Sequence, residues 1–183
     1  MLTLAQRNTV RAAVVADQTA NGFKQAGDAY SLGLWLNGDS ATTVWRTEAP
    51  TTAIIDAIAW ANYTPNDAPD NTATYTNRAL LAQTKQMNLQ LMLQGRQSLD
   101  CSKANLRSGL RDAVIAVPTG AGGANTSPGG ASGVTVLTTC TRLAKRVESI
   151  LAAGPQTTGT VTANVLTFEG SVDDSDTAWL VSN

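Results

Sequence analysis

The feature that most constrains this chain is a change of apolar period at Gly154-Pro155. Before it, apolar residues recur every three or four positions, the spacing that gathers them on one face of a helix. After it, Val161, Ala163, Val165 and Thr167 alternate with Thr162, Asn164 and Leu166 as in a strand. The pattern predicts a mainly α fold: a helical bundle domain over residues 1–154, followed by an extended, strand-forming C-terminal arm over 155–183. Such an arm needs a partner, because an isolated two-stranded ribbon is marginal in water. No internal repeat of fixed period is present.

Within the first 154 residues the punctuation divides the helices. Thr3 and Gln6 form a capping box ahead of a helix from about Leu4 to Thr19, with Val10, Ala13 and Val14 on its apolar stripe. A short helix is expected over Ala26 to Leu36, extended chain over Thr42 to Thr47, and a helix opened by Pro50 that carries Ile54, Ile55, Ile58 and Ala61 and stops before Pro65. Residues 66–74 read as a surface loop, in which Asp67 and Asp70 are ordinary turn residues.

The longest helix is expected from about Thr76 to Ser98. Leu80, Thr84, Met87 and Leu91 mark one of its faces, and Gln83, Gln86, Gln90, Gln94 and Gln97 mark another. The amides are either solvated surface or, since they both donate and accept, the lining of an interface between identical subunits. A helix capped by Asp100 or Ser102 follows, with Leu106, Leu110, Val114 and Val117 inward and Lys103, Arg107 and Arg111 on an outward ridge. Residues 119–133, with six glycines and one proline, read as a flexible loop. They do not make a phosphate-binding loop, because no Gly-Lys-Ser/Thr ends the run. Ser132 then caps a last helix, on which Val136, Cys140, Leu143, Val147 and Ile150 face inward as far as Ala153.

Charge is strongly polarised beneath a net −1: residues 78–147 carry +7, residues 1–77 carry −3, and residues 148–183 have no Lys or Arg and carry −5. The basic ridge, together with Arg142, Lys145 and Arg146, reads in three ways. It is exposed helix surface, a sequence-independent contact with phosphates passing through a channel, or a pairing surface for acidic tails of neighbouring subunits. No aromatic residue interleaves it, which argues against stacking on single strands.

No assembled chemistry is expected. The chain has no histidine, the commonest general base and metal ligand. Asp173, Asp174 and Asp176 form the one dense acidic group, read as solvated charge or a partner contact, or else as a cation site. Cys101 and Cys140 make no disulfide framework and match no zinc or redox spacing, which leaves them as small buried hydrophobes. Catalytic residues, metal sites and cofactors are therefore all expected to be absent. With neither a signal-like segment nor an apolar run near the ~18 residues of a membrane span, the chain is expected to be made and used in solution, without membrane contact.

Several stretches resemble a family of small virion proteins encoded among the head and neck genes of tailed phages. They are the N-terminal Leu-Thr-x-x-Gln helix; Val44-Trp45-Arg46-Thr47 followed by Pro50; Ile58-Ala59-Trp60-Ala61-Asn62-Tyr63-Thr64-Pro65; and Asn77-Arg78. Further on come Gln86-Met87-Asn88-Leu89-Gln90, the run Ser102 to Leu110, Leu143-Ala144-Lys145-Arg146-Val147-Glu148, and Leu166-Thr167-Phe168-Glu169-Gly170. The resemblance implies a head-to-tail adaptor: a ring of identical subunits, twelve in number, docked under the portal protein of the phage neck and meeting tail or nozzle proteins, assembled in the host cytoplasm. The alternatives are another virion component, such as a tail-tube, tail-completion or capsid decoration protein, and a DNA-binding regulator, for which no helix-turn-helix pattern is found.

On the adaptor reading Val165, Leu166, Phe168, Glu169, Asp173, Asp174 and Trp179 of the arm meet the partner. Lys103, Arg107, Arg111, Arg142, Lys145 and Arg146 then face the channel or a neighbouring subunit, with non-specific contact to packaged double-stranded DNA.

Overall fold

The computed structural model describes residues 1–64, 73–119 and 124–183. It overturns the expectation of a mainly helical bundle with an extended C-terminal arm: the protein is a mix of helices and sheets. The chain divides into two compact units. The first comprises residues 1–44, 143–155 and 164–183, and the second residues 45–142 and 156–163. Each is described in turn.

The first unit opens with α1 (Leu4–Ala16), and the expected capping box is present: Gln6 N donates to Thr3 Oγ1 at 3.2 Å and Thr3 N to Gln6 Oε1 at 2.9 Å. The helix stops short of Thr19 because Asp17 takes an extended conformation and caps α2 (Gln18–Gln25), its carboxylate accepting from Thr19 N and Ala20 N. Asp28 caps α3 (Ala29–Asn37) in the same way. Strand β1 (Asp39–Trp45) follows, its residues up to Val44 belonging to this unit.

The last two helices of the unit come from the C-terminal half of the chain. They are α8 (Arg146–Leu151) and α9 (Asp174–Ser182). Val10, Val14, Ala20, Leu32, Leu36, Val147, Leu151 and Leu180 form one buried cluster, against which Phe168 and Trp179 pack. The apolar faces of α1, α3, α8 and α9 thus share one core, the main source of stability for helices this short.

The second unit contains β2 (Ala49–Pro50), α4 (Thr51–Asp56), a 3-10 turn (Trp60–Tyr63), α5 (Ala73–Leu93), β3 (Ser98–Leu99), α6 (Ala104–Val114), β4 (Val117–Pro118), β5 (Asn125–Thr126) and α7 (Val134–Thr139). Short antiparallel ladders join β2 to β3, with Ala49 opposite Leu99, and β4 to β5, with Val117 opposite Thr126. α5 packs along α6, and Lys85 reaches from α5 to donate to the carbonyl oxygens of Asp112 and Ile115. Carbonyls at a helix end lack intrahelical donors, and a cation there also meets the negative pole of the dipole. Tyr63 is buried with its hydroxyl on Ala113 O at 2.8 Å, and burial pushes its pKa up to about 12.

Four further strand segments pair in the order β6-β1-β8-β7, with β6 at Thr141–Lys145, β7 at Ala153–Thr158 and β8 at Val161–Val165. β1 and β8 run parallel, Val44 opposite Asn164. Two departures from the expected helices account for this sheet and for α9. The single helix expected from Ser132 to Ala153 is instead α7, β6 and α8. Thr138, Thr139 and Thr141 each turn their hydroxyl back onto a preceding carbonyl, at 2.7, 2.7 and 2.9 Å. Such bonds and the branched Cβ atoms weaken a helix, and Thr141 onward takes up the extended form.

The second departure lies at the C-terminal end. The acidic residues there do not end an extended arm but start a helix. Asp173 accepts from Asp176 N at 2.8 Å and from Ser175 Oγ at 2.7 Å, the N-cap geometry of α9, with acidic residues in the first turn opposing the positive pole.

The Gly-rich segment is also more ordered than expected where it is described. β5 lies within it, and Gly129 N donates to Val114 O at 2.9 Å while Gly129 O accepts from Thr135 N. A Cβ at Gly129 would lie 2.3 Å from Cγ2 of the fully buried Val114. Gly129→Ala is therefore expected to cost about 1–3 kcal/mol in urea unfolding, the usual range for overpacking; a neutral result would show that the backbone does not approach α6 this closely. Asp67 and Asp70, and residues 120–123 of the Gly-rich loop, lie outside the described residues.

Candidate functional site

The six cations expected on one surface divide between the units: Lys103, Arg107, Arg111 and Arg142 belong to the second, Lys145 and Arg146 to the first. Arg107 is not on an outward ridge. It is 1% exposed and lies on the inner face of α6 with Leu110 and Val114. Its guanidinium stacks over Trp45 at 4.5 Å and donates to Cys101 O and Ser102 O at 2.8 Å each, to Thr158 Oγ1 at 3.0 Å and to Gln156 Oε1 at 2.7 Å. Four neutral oxygens and an aromatic face thus stand in for a counter-ion, and burial lowers the Arg107 pKa.

The remaining cations are engaged to different degrees. Lys103 is exposed and sits 4.0 Å from Asp100. Arg111 pairs with Asp112 at 3.2 Å, while its Nε is buried with no hydrogen-bond partner. Arg142 is half-buried. In the first unit Lys145 Nζ donates to Ser171 Oγ at 2.6 Å, and Arg146 stacks over Trp35 at 5.1 Å while donating to Trp35 O at 2.8 Å.

The residues expected to meet a partner through the arm are likewise used inside the first unit. Trp179 is flanked by the guanidinium groups of Arg7 and Arg11, at 5.7 and 5.8 Å from its ring centre. Phe168 packs on the core, and Val165 and Leu166 are half-buried. Asp173 caps α9 and stands 3.6 Å from the Met1 amino group, and the hydrogen bond from Ser175 does most to hold its carboxyl below the ordinary range. Glu169 and Asp174 remain exposed.

Two buried carboxylates carry more structure than their charge suggested. Asp176 is fully buried and accepts from Leu2 N and from the Arg7 guanidinium, the latter at 2.9 and 2.8 Å. Glu148, 1% exposed, accepts from Lys145 N at 2.9 Å and Gly170 N at 3.0 Å. Their signal in the sequence is weak, because the partners lie far along the chain or on the main chain.

Among the described residues no group of three or more His, Cys, Asp or Glu is placed to hold a metal ion, and no helix is long and apolar enough to cross a membrane. What the second unit does present is an uncharged face on α5. Ala82, Leu89 and Leu93 are buried, so the opposite side of the helix carries Leu80, Thr84, Met87 and Leu91 outward. Leu80 is 58%, Leu81 56%, Met87 53% and Leu91 65% exposed. The helix has two charged residues among the side chains described: Arg78 is buried, and Lys85 is turned to α6. Gln83, Asn88, Gln90 and Gln94 border the apolar stripe.

Beside this face a groove of about 360 Å³ is lined by Ile55, Trp60, Leu89, Gln90, Leu93 and Gln94. Trp60 is held as its wall by a 3.1 Å bond from its indole N–H to Ile55 O.

No family model, curated protein or solved structure matches the chain.

The outward face of α5 is therefore the candidate functional surface on physical grounds alone. Exposed large apolar residues that are contiguous and bordered by amides, rather than scattered singly, mark an interaction site. Sequence periodicity marks Leu80, Thr84, Met87 and Leu91 and the glutamine stripe, but not Ala82, Leu89 and Leu93, the residues that pack inward.

Proposed function

We propose that this chain is a non-enzymatic virion protein of a tailed phage, a subunit of the head-to-tail adaptor ring that docks on the portal and links the DNA-filled head to the tail. The family reading is supported by the stretches that resemble small head and neck proteins, from the N-terminal capping box to Leu166–Gly170. The observation that carries the oligomeric part is the outward face of α5.

α5 is roughly 30 Å long at 1.5 Å per residue, long enough to serve as a subunit contact. Its occupant on this reading is a second copy of the same chain. A face without charge offers nothing to a strongly acidic or basic partner, while its amides can donate and accept across a contact between identical subunits. Repeated head to tail, with the α5 stripe of one subunit against a different patch of the next, such a contact closes a ring. The cations contribute little to this reading, since Arg107 and Arg146 are occupied inside their own units. Any contact with packaged DNA falls to exposed groups such as Lys103 and is non-specific and salt-sensitive.

Met87→Glu combined with Leu91→Glu tests the face. Both side chains point to solvent, so folding stability is expected to stay within about 0.5 kcal/mol of wild type, while ring formation, read by light scattering after size exclusion and by electron microscopy with portal rings, is lost. A variant that still assembles would remove α5 from the interface. Phage lacking the protein are expected to package DNA and then leak it or fail to gain tails; normal tail attachment would exclude the adaptor role.

A further inference from the structure

We propose that the α5 stripe of one copy docks on the outward face of α3 in the next, where a hole lies between Tyr30 and Leu34 beside α9. The inference rests on the reading of α5 as a subunit contact and names the surface that meets it. Among the described residues outside α5, Tyr30 and Leu34 are the one pair of large apolar side chains exposed four positions apart on a helix. A contact that closes a ring joins two different patches, so an exposed apolar pair on the first unit supplies the counterpart that a stripe on the second unit requires.

The shape of this face fits an apolar knob. Tyr30, Gly33, Leu34 and Asn37 stand at positions i, i+3, i+4 and i+7 of α3, the four places that frame a hole for a side chain of a facing helix. With Val172 and Thr177 they line a space of about 130 Å³, room for one aliphatic side chain. Gly33 lets α3 lie close on α9, since a Cβ there would stand 3.3 Å from Thr177 Cγ2. One wall is fixed to the other: Asn37 Nδ2 donates to Val172 O at 3.0 Å, and Val172 N donates to Asn37 Oδ1 at 2.9 Å. Leu80, Met87 and Leu91 are spaced seven and four residues apart along α5, which suits them to serve as the knobs.

Charge favours the same pairing. The first unit carries five Lys or Arg against eight Asp or Glu, and the second carries eight against six. Asp173 and Asp174 border the hole, and the exposed Arg96 lies three residues beyond the end of α5. Setting the first unit of one copy against the second unit of the next brings opposite charges together, whereas first against first does not.

Mixing two variants of the full chain tests the pairing. Met87→Glu with Leu91→Glu keeps the α3 face, and Tyr30→Glu with Leu34→Lys keeps the α5 face. The second exchange places Glu four residues before Lys on α3, an arrangement that supports the helix; should circular dichroism show that it does not fold, Leu34→Lys alone takes its place. Under conditions in which the wild type assembles, each variant by itself is expected to run as a single chain in light scattering after size exclusion. An equal mixture is expected to give a two-chain species with one copy of each variant in native mass spectrometry, because one intact contact remains. Wild-type assembly by the folded α3 variant, or a mixture that stays as single chains, would overturn the inference and leave the α5 contact standing. A wild type that assembles neither alone nor on portal rings would remove both.

Discussion

Asp176→Ala is expected to destabilise the protein by roughly 3–5 kcal/mol in urea unfolding, and to do so through the first unit. The Asp176 carboxylate is fully buried and accepts from three donors: the main-chain N–H of Leu2 and two nitrogens of Arg7. Removing it leaves the Arg7 guanidinium, whose side chain is 17% exposed, partly buried beside no carboxylate, and strands the Leu2 N–H inside the protein. The second of these losses alone is worth about 1–3 kcal/mol. It also removes a negative charge from the first turn of α9, where the helix dipole favours one.

Asp176→Asn is expected to lose less, because one amide oxygen can still accept from Leu2 N. A double-mutant cycle with Arg7→Met separates the ion pair from the rest; coupling of about 1–3 kcal/mol is expected for groups in direct contact. A loss below 1 kcal/mol for Asp176→Ala would mean that the contact between α1 and α9 does not form in solution.

This contact shows where the sequence was legible and where it was not. Signals confined to a few neighbouring residues were readable: the Thr3–Gln6 capping box and the extended run at Val44-Trp45 stand in the structure, and a helix does open after Pro50, although it ends at Asp56 and leaves Ile58 and Ala61 outside it. Signals set by distant partners were not. Three acidic residues within four positions look like solvated charge, yet Asp173 is a helix cap and Asp176 is buried against α1, because the donors that satisfy it come from the other end of the chain.

Val136 to Ile150 keeps helical spacing, so periodicity merged three elements into one. The hydroxyls of Thr138, Thr139 and Thr141 and the ladder offered by the sheet decide otherwise, and neither leaves a mark in the apolar pattern. The candidate surface was half legible. Leu80, Thr84, Met87 and Leu91 stood out as a face, but α5 has a second apolar face in Ala82, Leu89 and Leu93, and only α6 and its neighbours determine which of the two is covered.

Arg107 was misplaced for a related reason: an arginine four residues from Lys103 and Arg111 reads as one of a row of surface cations, and nothing local announces the Trp45 face and the four oxygens that enclose it. Its removal is the second large effect expected. Arg107→Ala deletes charge-assisted hydrogen bonds to Cys101 O, Ser102 O, Thr158 and Gln156, leaves those acceptors without their donor in a buried site, and opens a cavity beneath Trp45.

Hydrogen bonds to a charged group contribute about 1.5–3 kcal/mol each before the partners relax, and truncating a large buried side chain adds a packing loss, so a net cost of about 3–5 kcal/mol is expected. Arg107→Met restores most of the volume but none of the donors and is expected to recover less than half of that cost. Arg107→Lys keeps the charge without the planar fork that reaches four acceptors and is expected to fall between the two.

A cation that served a channel would behave differently. Its loss would leave stability unchanged and weaken salt-sensitive binding, which is the outcome expected for the exposed Lys103→Ala, within about 0.5 kcal/mol of wild type. Denaturant unfolding of the Arg107 and Lys103 variants side by side, with tryptophan emission reporting the loss of the guanidinium over Trp45, distinguishes the two roles. Equal, negligible effects would return Arg107 to the surface.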